Sequence, residues 1–237
     1  MAKTIDSWLK KIKKETNNVS TKKLYSEYFF RDPARSICRD DQFLLCPCDG
    51  VLFDVQEFSE DQVEIDVKGT IVPLERLVPG TLLPKRGLVI SFFLTTYDVH
   101  VLRMPITGFL RSRHISPQVS LNMSMIACEE AIIEGVFGSN VNLSFMHANQ
   151  RVITDVLGNQ SGQALTIVQI ADSEVNMITP FGGPGWQPFC QGERFSAIRL
   201  GSQVTLIVDL TKMPRKNFLG KEGLHYEAGE PIFKIKD

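Results

Sequence analysis

The chain has 237 residues, 43% hydrophobic and 22% charged, with a formal net charge of −1, which suits a globular protein with one substantial core. No run reaches the ~20 apolar residues that span a bilayer and no signal-peptide core opens the chain, so a cytoplasmic location with no transmembrane anchor is expected. Five cysteines (Cys38, Cys46, Cys48, Cys128, Cys190) lack CxxC or Cys/His ligand spacing, which points to reduced, mostly buried thiols and to no metal site; no nucleic-acid partner is expected either.

Residues 1–25 read as a basic amphipathic arm. Seven lysines lie within residues 1–23 against only Asp6 and Glu15. Ile5, Trp8, Leu9 and Ile12 fall at i, i+3, i+4 and i+7 and share one helical face, while Lys10, Lys11, Lys13 and Lys14 cover the rest. Such a helix suits an anionic membrane surface with Trp8 at the interface. It equally suits a helix packed on the main domain with a solvated lysine face. After the polar break at residues 17–20, a short helix leads to Phe29-Phe-Arg-Asp-Pro33.

From there the pattern changes to short β-like runs at 43–46, 51–57, 62–67, 88–94, 99–104, 141–146, 151–157, 164–171, 194–200, 203–209 and 231–235. The expected class is mainly β (α+β), a single-domain β-sandwich or barrel-like core with N-terminal helices. The runs Leu88–Leu94 and Ala164–Ile170 are apolar enough to be buried on both faces, and Met125–Val136 is compatible with a helix. Phe181-Gly-Gly-Pro-Gly-Trp186 reads as a connecting loop or as a mobile element beside a site.

Serine is a poor nucleophile unless a base takes its proton. The histidines are His100, His114, His147 and His225. His100 follows an aromatic-rich apolar strand, with Asp98 two residues before it; taken alone, a histidine there is more often a satisfied core or edge residue. Asp49 sits in Cys46-Pro-Cys-Asp-Gly50, where an aspartate commonly caps its own turn. Gly-Ser pairs occur at Gly138-Ser139 and at Gly201-Ser202, and the pair alone carries no meaning.

Five segments, in order, together resemble the phosphatidylserine decarboxylases. They are Phe29-Phe-Arg-Asp-Pro33, Pro47-Cys-Asp-Gly50, Phe93-Leu-Thr-Thr-Tyr-Asp-Val-His-Val-Leu-Arg-Met-Pro105, Asn149-Gln-Arg151 with Val168-Gln-Ile-Ala171, and Gly192-Glu-Arg-Phe-Ser-Ala-Ile-Arg-Leu-Gly-Ser202. The Asp98–Pro105 form resembles the short, archaeal-type branch. The resemblance covers about residues 30 to 235; it implies one decarboxylase domain over 26–237 and a chain that cuts itself between Gly201 and Ser202, giving pieces 1–201 and 202–237 that stay associated.

By that resemblance His100, oriented by Asp49, deprotonates Ser202, whose Oγ attacks the Gly201 carbonyl. Ester formation, β-elimination and hydrolysis then leave a pyruvoyl group (covalent pyruvate) as cofactor. Phosphatidylserine would form a Schiff base with it, lose CO2 and become phosphatidylethanolamine, with His100 returning the proton. The implied partners are a phospholipid substrate and a peripheral membrane surface. Arg103 stands where longer relatives carry a second histidine; it is a candidate for the substrate carboxylate or phosphate, with a structural salt bridge as the other reading. Asn149 is a candidate substrate contact, with strand-edge hydrogen bonding as its alternative. Gln203 replaces the residues common after the cut. A pyruvoyl enzyme for another serine- or amino-acid-containing substrate and an inactive lipid-binding relative are the competing functions.

Overall fold

The computed structural model describes residues 2–38, 40–118, 122–136, 141–159, 164–173, 177–199 and 202–235. In chain order, β1 (Lys3–Thr4) leads into helices α1 (Ile5–Thr16) and α2 (Thr21–Ser26) and a 3-10 turn at Tyr28–Phe30. There follow β2 (Phe43–Leu45), β3 (Gly50–Ser59), β4 (Glu64–Val67), β5 (Thr70–Pro73), α3 (Leu74–Leu77), β6 (Arg86–Leu94), β7 (Val101–Arg103) and β8 (Gly108–Ile115). After α4 (Ile126–Ile133) and α5 (Phe145–Ala148) come β9 (Arg151–Gly158), β10 (Ala164–Ala171), β11 (Ile178–Pro180), β12 (Gln187–Phe189), β13 (Arg194–Ile198), β14 (Ser202–Asp209), β15 (Leu224–Tyr226) and β16 (Pro231–Lys234).

The mainly β expectation holds. Nine strands form an antiparallel sheet in the order β1-β15-β3-β6-β14-β10-β9-β8-β12. The sheet ends in two edges, so the barrel-like alternative gives way to stacked layers. Along β6, Leu88, Ile90, Phe92 and Leu94 enter one apolar cluster while Val89 and Phe93 enter another, as the two-residue period of a strand buried on both sides requires. The first cluster is closed by the small sheets β16-β2 and β11-β13-β7 through Phe233, Leu44, Ile178, Phe195 and Leu102. The second is closed by the β4-β5 hairpin and helices α3, α4 and α5 through Ile65, Val72, Leu77, Ile132 and Phe145.

Two sequence expectations change. Residues 141–146 alternate like a strand, yet the Asn142 Oδ1 accepts the Ser144 N–H at 2.9 Å and the chain coils into α5, a local side-chain bond overriding the pattern. The strand β8 carries Arg111 and Arg113, which hide its period; both guanidiniums meet the Asp155 carboxylate on the neighbouring β9, at 3.2 and 2.7 Å.

Helix α1 buries Trp8, Leu9 and Ile12 against Tyr28, Tyr97 and Ile133, so its apolar face is occupied by the domain and its lysines face solvent. No helix among the described residues is long and apolar enough to cross a membrane.

Asp54 on β3 is fully buried. Its Oδ1 accepts from Gln56 at 3.2 Å and lies 3.9 Å from the Lys68 ammonium, while Oδ2 has no partner. Burial raises its pKa to about 6, with Gln56 and Lys68 pulling the other way. The folded state therefore binds more protons than the unfolded chain between the ordinary carboxylate range and about 6, and stability falls as pH rises through that window. Replacing Asp54 with Asn is expected to stabilise the fold by ~2 kcal/mol at about pH 8 and to do little at about pH 3.5, read as urea midpoints at the two pH values.

Candidate active site

Ser202 opens β14, paired with Leu94 of β6 on one side and Ala171 of β10 on the other. Leu94, Ala171, Val204, Leu206 and Val208 all enter the first cluster, so strand alternation points the Ser202 side chain to the same side, toward the layer that contains β7 and β13. The residue is fully buried and its Oγ has no hydrogen-bond partner. Leu200 and Gly201, and the other pair Gly138-Ser139, lie outside the described residues.

Just past Leu94 the chain closes a tight turn, Thr95 to Asp98. The Asp98 N–H donates to the Thr95 carbonyl at 3.0 Å, and the Asp98 Oδ2 accepts from the Thr95 N–H at 2.8 Å and the Thr95 Oγ1–H at 2.9 Å. His100 emerges from this turn, fully buried. Its backbone is held on both sides, N–H to the Phe29 carbonyl at 2.8 Å and C=O to the Ile198 N–H at 2.9 Å, and its ring stacks on Phe29 at 4.1 Å and 4°.

The His100 Nε2 lies 3.0 Å from the Thr95 carbonyl. A carbonyl only accepts, so Nε2 carries the proton and Nδ1 keeps its lone pair. Nδ1 is buried with no partner. Burial, first among several influences, lowers the His100 pKa, which keeps the imidazole neutral and Nδ1 basic at neutral pH.

Asp49, the expected partner of His100, is engaged by other groups. The Asp49 carboxylate forms an ion pair with Arg35 and accepts the Ala228 N–H at 2.9 Å; burial raises its pKa against the pull of Arg35. Arg35 also meets Glu227 at 3.0 Å, which in turn takes Lys3 at 3.0 Å. No hydrogen bond joins Asp49 to His100. The carboxylate–imidazole pair that does form is Asp98–His225, with Oδ1 to Nε2 at 2.7 Å and both side chains buried. Asp98 is held below its ordinary pKa: burial pushes upward, but His225 and the Thr95 donors outweigh it. The His225 ring stacks on Trp8 at 4.1 Å and 13°. A pocket of about 110 Å3 lies beside this pair, reached also by Arg31, Arg35 and Asp49.

Arg103 donates to Asp32 at 2.8 Å and to the Gly192 carbonyl at 2.9 Å. Asp32 holds Arg194 as well, while Arg31 donates to the carbonyls of Tyr28, Tyr97 and Asp98. The run Phe29–Asp32 thus braces the turn and the strands around His100. Asn149 clamps backbone in this structure. Its amide donates to the carbonyls of Met123 and Ala171, both at 2.8 Å, and its Oδ1 accepts the Met123 N–H at 2.7 Å, leaving no donor for a substrate and fixing Ala171, the cross-strand neighbour of Ser202. Gln203 sits in the sheet interior, donating to Thr205 at 2.9 Å.

Gly50, beside Asp49, is required by close packing: a Cβ there would lie 2.7 Å from the Phe93 carbonyl oxygen. This brings the Asp49 end of β3 hard against the end of β6 where the 95–98 turn begins.

A family model described as phosphatidylserine decarboxylase matches residues 24–234. Among curated relatives, a phosphatidylserine decarboxylase proenzyme of Ehrlichia ruminantium (strain Gardel) is 25% identical over 183 residues, 77% of this chain and 64% of the relative. Proenzymes of that name from Paraburkholderia phytofirmans and Symbiobacterium thermophilum are 27% and 28% identical, over 79% and 78% of this chain and 70% of each relative. The chain thus spans about two thirds of the length of the relatives it matches.

Proposed function

Because the chain belongs to the phosphatidylserine decarboxylase family, we propose that it is a proenzyme that cuts itself at Gly201-Ser202 and then decarboxylates phosphatidylserine. The observation that carries the reading is Ser202 itself. A buried hydroxyl without a partner costs about 1–3 kcal/mol, and this one heads a strand on the face toward a neutral histidine whose Nδ1 is also buried and unpartnered.

In the first stage Nδ1 of His100 accepts the Ser202 proton and Oγ attacks the Gly201 carbonyl. The C–N bond of the peptide breaks as the acyl group moves to oxygen. Loss of the Ser202 Cα proton then expels the Gly201 carboxylate, leaving an enamine at position 202. Its tautomer takes up water and releases ammonia. A side chain on a dry sheet face, free of hydrogen bonds, fits this conversion. The pyruvoyl group so formed supplies a carbonyl that accepts the electrons released when a carboxylate leaves. In this reading His100 would return a proton once CO2 has gone.

The sheet order supports two pieces that remain together. Residues 202–237 would contribute β14 to the interior of the nine-stranded sheet, paired with β6 and β10 from the other piece, with β15 on β3 and β16 on β2. The solvent-facing lysines of α1 suit the anionic surface in which phosphatidylserine lies, while its apolar stripe already packs on the domain.

Intact-mass measurement of the purified chain tests the reading: pieces 1–201 and 202–237 are expected, the second with pyruvate at its blocked N-terminus. A chain that stays whole on long incubation overturns it. Comparing vesicles containing phosphatidylserine with free serine then decides the substrate.

A further inference from the structure

Asp98 lies in a segment that resembles the family and His225 in none of the five, yet the two form the one carboxylate–imidazole pair built around this site among the described residues. We propose that Asp98 and His225, rather than Asp49, are the positioning residues of the His100 imidazole, acting through the Thr95 turn and seated from outside by Trp8. The inference rests on the reading of His100 as the base for Ser202.

The route is continuous. His225 donates from Nε2 to the Asp98 Oδ1, since a carboxylate only accepts. The Asp98 Oδ2 holds both the N–H and the hydroxyl of Thr95. The Thr95 carbonyl, fixed by that grip and by the Asp98 N–H, is the acceptor that sets the tautomer and tilt of His100. Thr95 directly follows Leu94, the cross-strand partner of Ser202. Any rotation of the Thr95 peptide therefore changes where the Nδ1 lone pair points.

His225 is needed because Asp98 is fully buried. A buried carboxylate that loses one of its partners must take up a proton or swing toward water, and either change loosens Thr95. Trp8 lies flat on the His225 ring, so α1 presses the pair into place. Asp49 is engaged by Arg35 and the Ala228 N–H and makes no hydrogen bond to the Thr95 turn or to His100. The charged groups facing the pair across the pocket are Lys11, Glu15, Arg31, Arg35, Asp49 and Glu227.

Nitrogen NMR of the imidazoles in the uncut Ser202→Ala chain reads positioning without any turnover. His100 is expected as the Nε2–H tautomer with a slowly exchanging proton. That proton is expected to become fast-exchanging in Asp98→Asn and His225→Ala, to persist in His225→Gln, whose amide can still donate to Asp98, and to persist in Asp49→Asn. In chains free to cut, self-cleavage is expected to slow about 100-fold in Asp98→Asn and His225→Ala, and to recover to within about threefold of normal in His225→Gln. Should His225→Ala fail to fold, Asp98→Asn and His225→Gln carry the comparison. An unchanged His100 signal and cleavage rate in Asp98→Asn, or loss of the His100 proton in Asp49→Asn, overturns the proposal. A parent chain that never cuts overturns the proenzyme reading instead and leaves the NMR comparison standing.

Discussion

Ser202→Ala is expected to leave a single uncut chain of 26.6 kDa with no decarboxylase activity. The substitution removes one oxygen from a fully buried site where that oxygen has no hydrogen-bond partner. Alanine keeps the strand and adds no bulk, so stability should hold or rise by ~1 kcal/mol, because an unsatisfied buried hydroxyl is lost. The pairing of position 202 with Leu94 and Ala171 runs through backbone groups and survives the change. A failure to cut would then be chemical, since the fold stays intact. Intact mass and the thermal midpoint of the same sample separate the two causes. Fragments ending at residue 201 in the Ser202→Ala chain would show that another group attacks the bond and would remove Ser202 from the mechanism.

The parts of the fold that were legible in the sequence share a physical basis. Leu88–Leu94 and Ala164–Ile170 read as strands buried on both faces because apolar residues predominate on both alternating sets and no charged residue breaks either run, and they are central strands of the sheet. Helix α1 was legible in its period, but the period cannot say which apolar surface meets the stripe; Tyr28, Tyr97 and Ile133 do. The strand β8 was illegible because Arg111 and Arg113 answer Asp155 on a neighbouring strand. At the site, Ser202 and His100 stand out because each sits in a distinctive segment. The Asp98–His225 pair does not, because a hydrogen-bonded pair leaves no local trace when its members lie 127 residues apart. Asp98 could be noticed two residues before His100, and His225 could be counted; only the placement of β15 beside β3 brings His225 to Asp98.

His100→Gln is the second change expected to have a large effect, slowing self-cleavage by about 100- to 10,000-fold, the range over which a positioned general base contributes. Glutamine is close in volume and can keep a donor toward the Thr95 carbonyl, but offers no basic lone pair where Nδ1 stood. The accompanying pH dependence is more diagnostic than the magnitude. Burial lowers the His100 pKa below its ordinary 6.5, so the neutral ring persists below that pH and the rate of cutting should stay level there before falling. Stability follows the same sign. The unfolded chain binds the proton first, so between the ordinary and the lowered pKa the unfolded state carries more protons and acidification destabilises the fold. In the parent chain the stability loss due to His100 should therefore begin near 6.5 and level off at the lowered pKa, where the decline in cutting begins. In His100→Gln the residual cleavage should lose its acid limb, and the part of the stability loss due to His100 should vanish. Quenched time courses and urea midpoints measured across that window provide the two curves. A cleavage limb at or above 6.5 would mean that a more exposed group, and not the buried imidazole of His100, takes the Ser202 proton.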